Sequence, residues 1–279
     1  MEVRWDKDAG WHNANVRAYG RCSWTRPRPC CTTARKSSRH QGLPPRRRFD
    51  LDLPPRRHGR RLQRSAQRLA LPELPVEIFV ESLKQLIAVD SAWVPSADES
   101  SLYFRPFMIG DEAFLGVRGA HKAGYYVIAS PAGPYSPRAS LRCRSGCRRS
   151  THVRARAAPV RPSAVATTPP RCCRSRRQQA QGCSQVLFLD PVEGKYLEEL
   201  GGMNVFLVYK DGTLVTPELS GSILEGITRE SILQLARDRG MKVEERKVSI
   251  DEWKDGVASG AISEVFACGT AAVVTRSAS

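Results

Sequence analysis

Between Tyr196 and Thr228 (YLEELGGMNVFLVYKDGTLVTPELSGSILEGIT) the chain sets a carboxylate, Glu199, before a Gly-Gly pair, then a hairpin, then a Gly-led turn into a helix. A helix start carries backbone N–H groups without intrahelical partners at the positive end of the dipole, which suits a phosphate. A carboxylate nearby could hold a cationic ring nitrogen. Glu198, one residue earlier and on the opposite face of an extended chain, competes for that role. From spacing alone, a structural hairpin carrying a surface acid is the plainer account.

The elements around these residues follow from pattern. Val205, Leu207 and Tyr209 alternate with Phe206 and Val208, apolar on both faces, as in a buried strand. Lys210-Asp211-Gly212 is turn chemistry, Thr213 to Thr216 the returning strand, and Pro217 its stop. Thr228 can cap a helix Arg229–Arg239 with Ile232, Leu235 and Ala236 inside and Gly240 at its end. Upstream, Glu73 to Ile87 reads as an amphipathic helix with Val76, Phe79, Val80, Leu83 and Leu86 on one stripe. Ser101–Gly110, Tyr125–Ser130, Gln185–Asp190 and Met241–Ile250 read as strands, and Asp251 as the cap of a short helix through Val257.

The chain has 279 residues, room for two modest domains, and a formal charge of +16 that would ordinarily suggest nucleic acid. Its distribution argues otherwise. Arg21–Arg61 carries a net +11 and Arg138–Arg177 a net +12, so the remainder is at −7. The same two segments hold 7 of the 9 cysteines and show neither helix nor strand periodicity. Their Arg runs lack interleaved aromatics, so a basic nucleic-acid-binding protein is the least supported reading. Cys143, Cys147, Cys172 and Cys173 with His152 superficially suggest zinc, but the spacings make no paired knuckles, and no metal site is expected. No apolar run approaches a membrane span and no signal-peptide core opens the chain, which points to a cytoplasmic globular body. Arg21–Gly59 and Arg138–Arg177 should be poorly packed.

Three motifs, EELGGMNVF, TPELSGSILEGITR and EVFACGTAAVV, together resemble the branched-chain amino acid aminotransferases, in that family's order and spacing over 182–275. RRLQRSAQRLALPELP and the opening Met1–Gly20, expected to precede the first strands, are similar too. The resemblance implies an α+β, two-domain fold-type IV enzyme, D-amino acid aminotransferase-like, here incomplete. The expected division is 1–130 small domain, 131–180 interdomain loop, and 181–279 large domain. Also implied are pyridoxal 5'-phosphate as cofactor, a homodimer, and amino transfer between leucine, isoleucine or valine and 2-oxoglutarate. Glu199 then pairs with the pyridine nitrogen, beside Met203 and Asn204. Phosphate binding maps onto Arg61, Ile227, Thr228 and Thr270, the substrate carboxylate onto Thr270 and Ala271, and the substrate pocket onto Tyr103 and Arg105. Without the resemblance, Arg61 is as readily one of many exposed arginines, and Tyr103 and Arg105 a half-buried strand face.

One implied residue is missing. The family's lysine, nucleophile and proton shuttle in one, should fall near Ser163, yet no lysine occurs between Lys122 and Lys195. Lys195 lies outside the motif. A shifted reading frame is a working hypothesis for both basic segments. CCTTARKSSR (30–39) can be written TGC TGC ACT ACG GCC AGG AAA TCT TCG AGG; from the third base this reads LHYGQEIFE, a family motif. SAVATTPPRCC (163–173), with codons again chosen among synonyms, yields GGGNYAASLL, which resembles the family's sequence after its lysine. A catalytically dead remnant is therefore the alternative to an active transaminase. Family members also run on past a terminal TRSAS through further strands and a helix.

Overall fold

The computed structural model describes residues 1–18, 31–32, 39–40, 54–97, 100–113, 118–133, 145–148, 185–269 and 273–276. They fall into two compact units, one spanning Met1–Gly133 and one whose described residues run from Ser145 to Arg276. The mixed α+β architecture matches the expected fold class.

The first unit contains β1 (Glu2–Asp6), β2 (Gly10–Asn15), β3 (Cys31–Thr32), β4 (Arg39–His40), α1 (Pro54–Arg68), α2 (Val76–Val89), β5 (Ser101–Gly110) and β6 (Lys122–Ala132). Its antiparallel sheet has the order β2-β1-β6-β5-β3, with β4 also on β5. Strand alternation sends Val3, Leu102, Phe104, Met108, Tyr125 and Val127 to one face, where they pack on Leu62 and Ala66 of α1 and Phe79, Leu83 and Leu86 of α2. The buried stripe of α2 includes a polar residue, Ser82. It is tolerated because its hydroxyl donates to Phe79 O at 2.7 Å and meets Tyr125 Oη at 3.0 Å. Burial drives the Tyr125 phenol upward in pKa, so it stays protonated in that core.

Several expectations change here. The opening residues form the β1–β2 hairpin rather than preceding the first strands. Pro72 and Pro75 delay α2 to Val76, since proline suits a helix start but not its interior. The expectation of poor packing for Arg21–Gly59 fails at its end: α1 begins at Pro54, His58 is buried, and Gly59 abuts Val76 and Phe79. The rest of that segment, apart from β3 and β4, lies outside the described residues.

The second unit contains β7 (Ser145–Arg148), β8 (Gln185–Leu189), β9 (Leu197–Leu200), β10 (Met203–Tyr209), β11 (Leu214–Thr216), α3 (Ile227–Asp238), β12 (Val243–Glu245), α4 (Ile250–Ala258), β13 (Ile262–Gly269) and β14 (Val273–Arg276). Its sheet runs β12-β11-β10-β9-β8-β7, with β13 joining β10 to β14. Strand β7, inside the second basic segment, pairs in parallel with β8 despite lacking a strand pattern in sequence. Parallel β11 and β12 are linked by α3. As its two-sided apolar pattern predicts, β10 is buried on both faces. Val205 and Leu207 join the α4 side with Val248 and Ile250, and Phe206 joins the α3 side with Leu233 and Ala236. Phe206 stacks on Phe266 at 5.0 Å. The turn after β10 needs Gly212, at φ +83, while the Asp211 carboxylate accepts the Thr213 N–H at 2.9 Å.

Three local readings are corrected. Helix α3 starts at Ile227 with Gly226 as its N-cap, not at Arg229 under Thr228. Its inner face is Arg229, Leu233 and Ala236, leaving Leu235 52% exposed, because Arg229 is drawn in by an ion pair that sequence periodicity does not register. Helix α4 is capped by Ser249, which accepts the Glu252 N–H at 3.0 Å, rather than by Asp251. The strand expected over Met241–Ile250 is confined to β12.

After β8, Asp190 staples its own loop: its carboxylate accepts N–H groups of Val192, Glu193, Lys195 and Tyr196 at 2.6–3.2 Å. Burial opposes ionisation, but these donors outweigh it and hold the acid below its usual pKa. The stabilisation is present above the ordinary Asp value and is lost as pH falls through the lowered one. Asp190→Asn should cost about 1 kcal/mol at pH 7. Urea unfolding should show that difference shrinking as the pH drops below the ordinary Asp value of about 3.9; a deficit of constant size throughout the acid range would contradict the charged staple.

Candidate functional site

The site in the second unit is built from two adjacent strand ends and one helix start. Strand β9 ends in the Gly201-Gly202 turn and returns as β10, which puts Glu199 opposite Asn204. Asn204 is opposite Cys268 of β13, so three side-chain positions stand in one row across the sheet. Glu199 is 2% exposed and Asn204 is 7% exposed. The segment running from β11 into α3 returns over this row: Glu199 Oε1 accepts the Leu224 N–H at 2.8 Å, and Asn204 Nδ2 donates to Leu224 O at 3.1 Å. Two residues later the chain enters α3.

No side chain caps α3 at Gly226, Ile227 is buried, and Thr228 is half-buried in the first turn. The first-turn N–H groups are the kind that an anion satisfies. Arg229, buried, donates to Pro217 O at 3.0 Å and to Glu245 Oε2 at 2.9 Å. It thereby ties the helix start to β12. Burial raises the Glu245 carboxyl, but Arg229 and Arg237 more than reverse this and keep it an anion. Cys268 completes the row as a neutral thiol, its pKa pushed up to about 12 by burial. Gly269 packs against Met203, with 3.2 Å from a would-be Cβ to the methionine Cγ.

The two adjacent carboxylates have separate environments. Glu198 is held by the hydroxyls of Ser222 and Ser220, the latter at 3.4 Å, whereas Glu199 faces Leu224 and the chain entering α3. The serine pair and the buried Arg229 are functional-region features that the sequence reading missed. The i+1 position of Arg229 after Thr228, with an acid in the next strand, is the signal that could have found it.

Arg61, Tyr103 and Arg105 lie in the first unit. Arg61 is not an exposed arginine: it is 4% exposed in α1, with Nη2 3.5 Å from His58 Nδ1. Tyr103 and Arg105 share the face of β5 opposite its core face, Arg105 Nη2 lying 3.4 Å from Tyr103 Oη. Farther along, Phe107 stacks on Tyr126 at 5.3 Å and Arg4 lies over the Tyr126 ring. Thr270, Ala271, the region near Ser163, and Cys143, His152, Cys172 and Cys173 lie outside the described residues; Gly269 and Val273, on either side of 270–272 in sequence, are cross-strand partners. Among the described residues no cluster of metal-ligating side chains occurs, no helix is long and apolar enough to cross a membrane, and every lysine is exposed. Lys195 lies over the Tyr196 ring at 5.6 Å.

Comparison with known proteins adds a family. Residues 53–279 match the model for amino-transferase class IV. The branched-chain-amino-acid aminotransferase of Mycolicibacterium smegmatis is 45% identical over 284 residues, covering 99% of this chain and 76% of the relative. The crystal structure of the Escherichia coli branched-chain amino acid aminotransferase superposes with a TM-score of 0.67 at 27% identity, covering 80% of this chain and 69% of that one. The Thermobaculum terrenum enzyme of the same name, in its PLP form, superposes with a TM-score of 0.61 at 29% identity, covering 80% and 69%.

Proposed function

The chain belongs to the class IV aminotransferases, and from that premise we propose that its fold serves transfer of the amino group of leucine, isoleucine or valine to 2-oxoglutarate with pyridoxal 5'-phosphate. One observation carries this most directly: a buried carboxylate, Glu199, and a helix start without a side-chain cap are coupled through a single residue, Leu224. Spacing alone would allow a surface acid on a structural hairpin, but Glu199 is not at the surface.

The cofactor supplies an electron sink when bound; the protein's part is to hold and tune it. The donor set fits two of its three attachments. Glu199 would hold the ring nitrogen protonated, favoured by an anion in a water-poor site. Backbone N–H groups of Ile227 and Thr228, with the Thr228 hydroxyl, would hold the phosphate; the family resemblance assigns Arg61 and Thr270 to the same group. The same resemblance assigns Tyr103, Arg105, Thr270 and Ala271 to the substrate. The third attachment does not fit. The sequence has no lysine between Lys122 and Lys195, and all described lysines are exposed. No proton-transfer step can be assigned to this chain's residues, and as written it should bind the cofactor reversibly without turnover. Shifted reading frames over 21–59 and 138–177 remain our account of that gap, to be tested by resequencing the coding DNA there. The domain division at 130 and 180, a homodimer, a cytoplasmic setting, and no nucleic-acid or membrane partner belong to the same proposal.

Equilibrium dialysis tests the noncovalent half. Pyridoxal 5'-phosphate should bind the 279-residue chain better than pyridoxal does, and inorganic phosphate should compete. Equal affinity for the two aldehydes would remove the helix start from the site.

A further inference from the structure

We infer that Asn204 is a positioning residue that makes the ring-nitrogen carboxylate and the anion-binding helix start one mechanical unit. The inference rests on the cofactor reading above and adds to it a residue to which that reading gives no role.

Leu224 is gripped at both ends of its backbone by neighbours in the sheet. Its N–H goes to Glu199 Oε1 at 2.8 Å and its carbonyl accepts from Asn204 Nδ2 at 3.1 Å. Glu199 and Asn204 are cross-strand partners at the tight β9–β10 turn, so their separation is set by the ladder and not by side-chain choice. The amide of Asn204 has a fixed assignment here: its Nδ2 must donate to the carbonyl, which turns Oδ1 toward Gly226. A Cβ built on Gly226 would clash with that oxygen. Gly226 has φ −74 and ψ 126, angles any residue can adopt, so glycine is required there by the approach of Asn204 and not by backbone conformation. The side chain is therefore locked between Leu224 and the N-cap of α3. Moving Asn204 moves the peptide that orients Glu199 and the residue from which the helix begins. Placement errors of a fraction of an ångström are what such outer contacts suppress.

The experiment uses the full chain and compares Asn204→Ala and Gly226→Ala with Glu199→Gln. The probes are pyridoxal 5'-phosphate and inorganic phosphate, with amide hydrogen exchange at residues 224–228 as a readout that needs no ligand. If Asn204 couples the two contacts, Asn204→Ala weakens both ligands about tenfold, Gly226→Ala reproduces this, and exchange at 224–228 speeds at least tenfold. Glu199→Gln should weaken only the cofactor and leave phosphate unchanged. A chain in which Asn204→Ala lowers the melting temperature but leaves both affinities and the exchange at 224–228 unchanged overturns the inference. If the unmodified chain binds neither ligand, the cofactor reading fails; the exchange comparison then still decides the clamp, with unchanged protection in Asn204→Ala counting against it.

Discussion

Leucine-dependent formation of glutamate from 2-oxoglutarate should be undetectable with the 279-residue chain and pyridoxal 5'-phosphate, and should appear when the two basic segments are replaced by their frame-restored versions. The reasoning is chemical. In this family one lysine serves as both the covalent anchor and the base that moves the α-proton. Removing a group that acts as nucleophile and base together costs about four orders of magnitude or more in rate. Nothing among the described residues replaces it: Glu199 is engaged with Leu224, Glu198 with two serines, and Cys268 is a protonated thiol buried in the core beneath α3. Ser163→Lys alone should not restore turnover, because an amine without its surrounding loop is not positioned. Turnover by the unaltered chain, lost on Glu199→Gln, would refute the requirement for a lysine near 163. A frame-restored chain that binds cofactor but stays inactive would refute the frame hypothesis.

Glu199→Gln should weaken pyridoxal 5'-phosphate binding about 10- to 100-fold while the protein stays folded. Glutamine still presents an oxygen to the Leu224 N–H, so the contact that holds the turn survives and stability should change by less than about 1 kcal/mol. What is lost is the negative charge opposite a protonated ring nitrogen. A hydrogen bond between charged groups in a buried site contributes about 1.5–3 kcal/mol, which is the stated range in affinity. Glu198→Gln is the control with the opposite signature. Its carboxylate serves Ser220 and Ser222, so its loss should loosen the 220–222 loop and leave the ring contact intact. Dialysis and thermal melts on both variants separate the cases, and a larger binding defect in Glu198→Gln would reassign the ring contact.

Much of this site was legible in sequence because its parts are local. The strand 203–209, its Asp-Gly turn and the helix after Gly226 each follow from a pattern a few residues long, and motif register selects Glu199 over Glu198. What was not legible depends on contacts between distant positions. Thr228 looks like a cap because it has the right chemistry, yet Asn204, 22 residues before Gly226, fixes the entry to the helix so that Gly226 takes that position. Leu235 looks like core until Glu245 pulls Arg229 inward and rotates the helix face. Arg61 looks like one charge in a basic run, whereas α1 buries it beside His58. Composition marked the stretch up to Gly59 as unpackable, but a helix needs only its i, i+3, i+4 face to be accommodated, and His58, Leu62, Ser65 and Ala66 supply one.

The measurement that bears most directly on the account is borohydride reduction of the cofactor-loaded chain, followed by peptide mapping and set against a parallel sample dialysed before reduction. Reversible binding through Glu199 and the start of α3 predicts cofactor retained at equilibrium, removed by dialysis, and no stoichiometric pyridoxyl adduct on any single lysine. A one-to-one pyridoxyl-lysine that survives dialysis, at Lys195 or elsewhere, would contradict it.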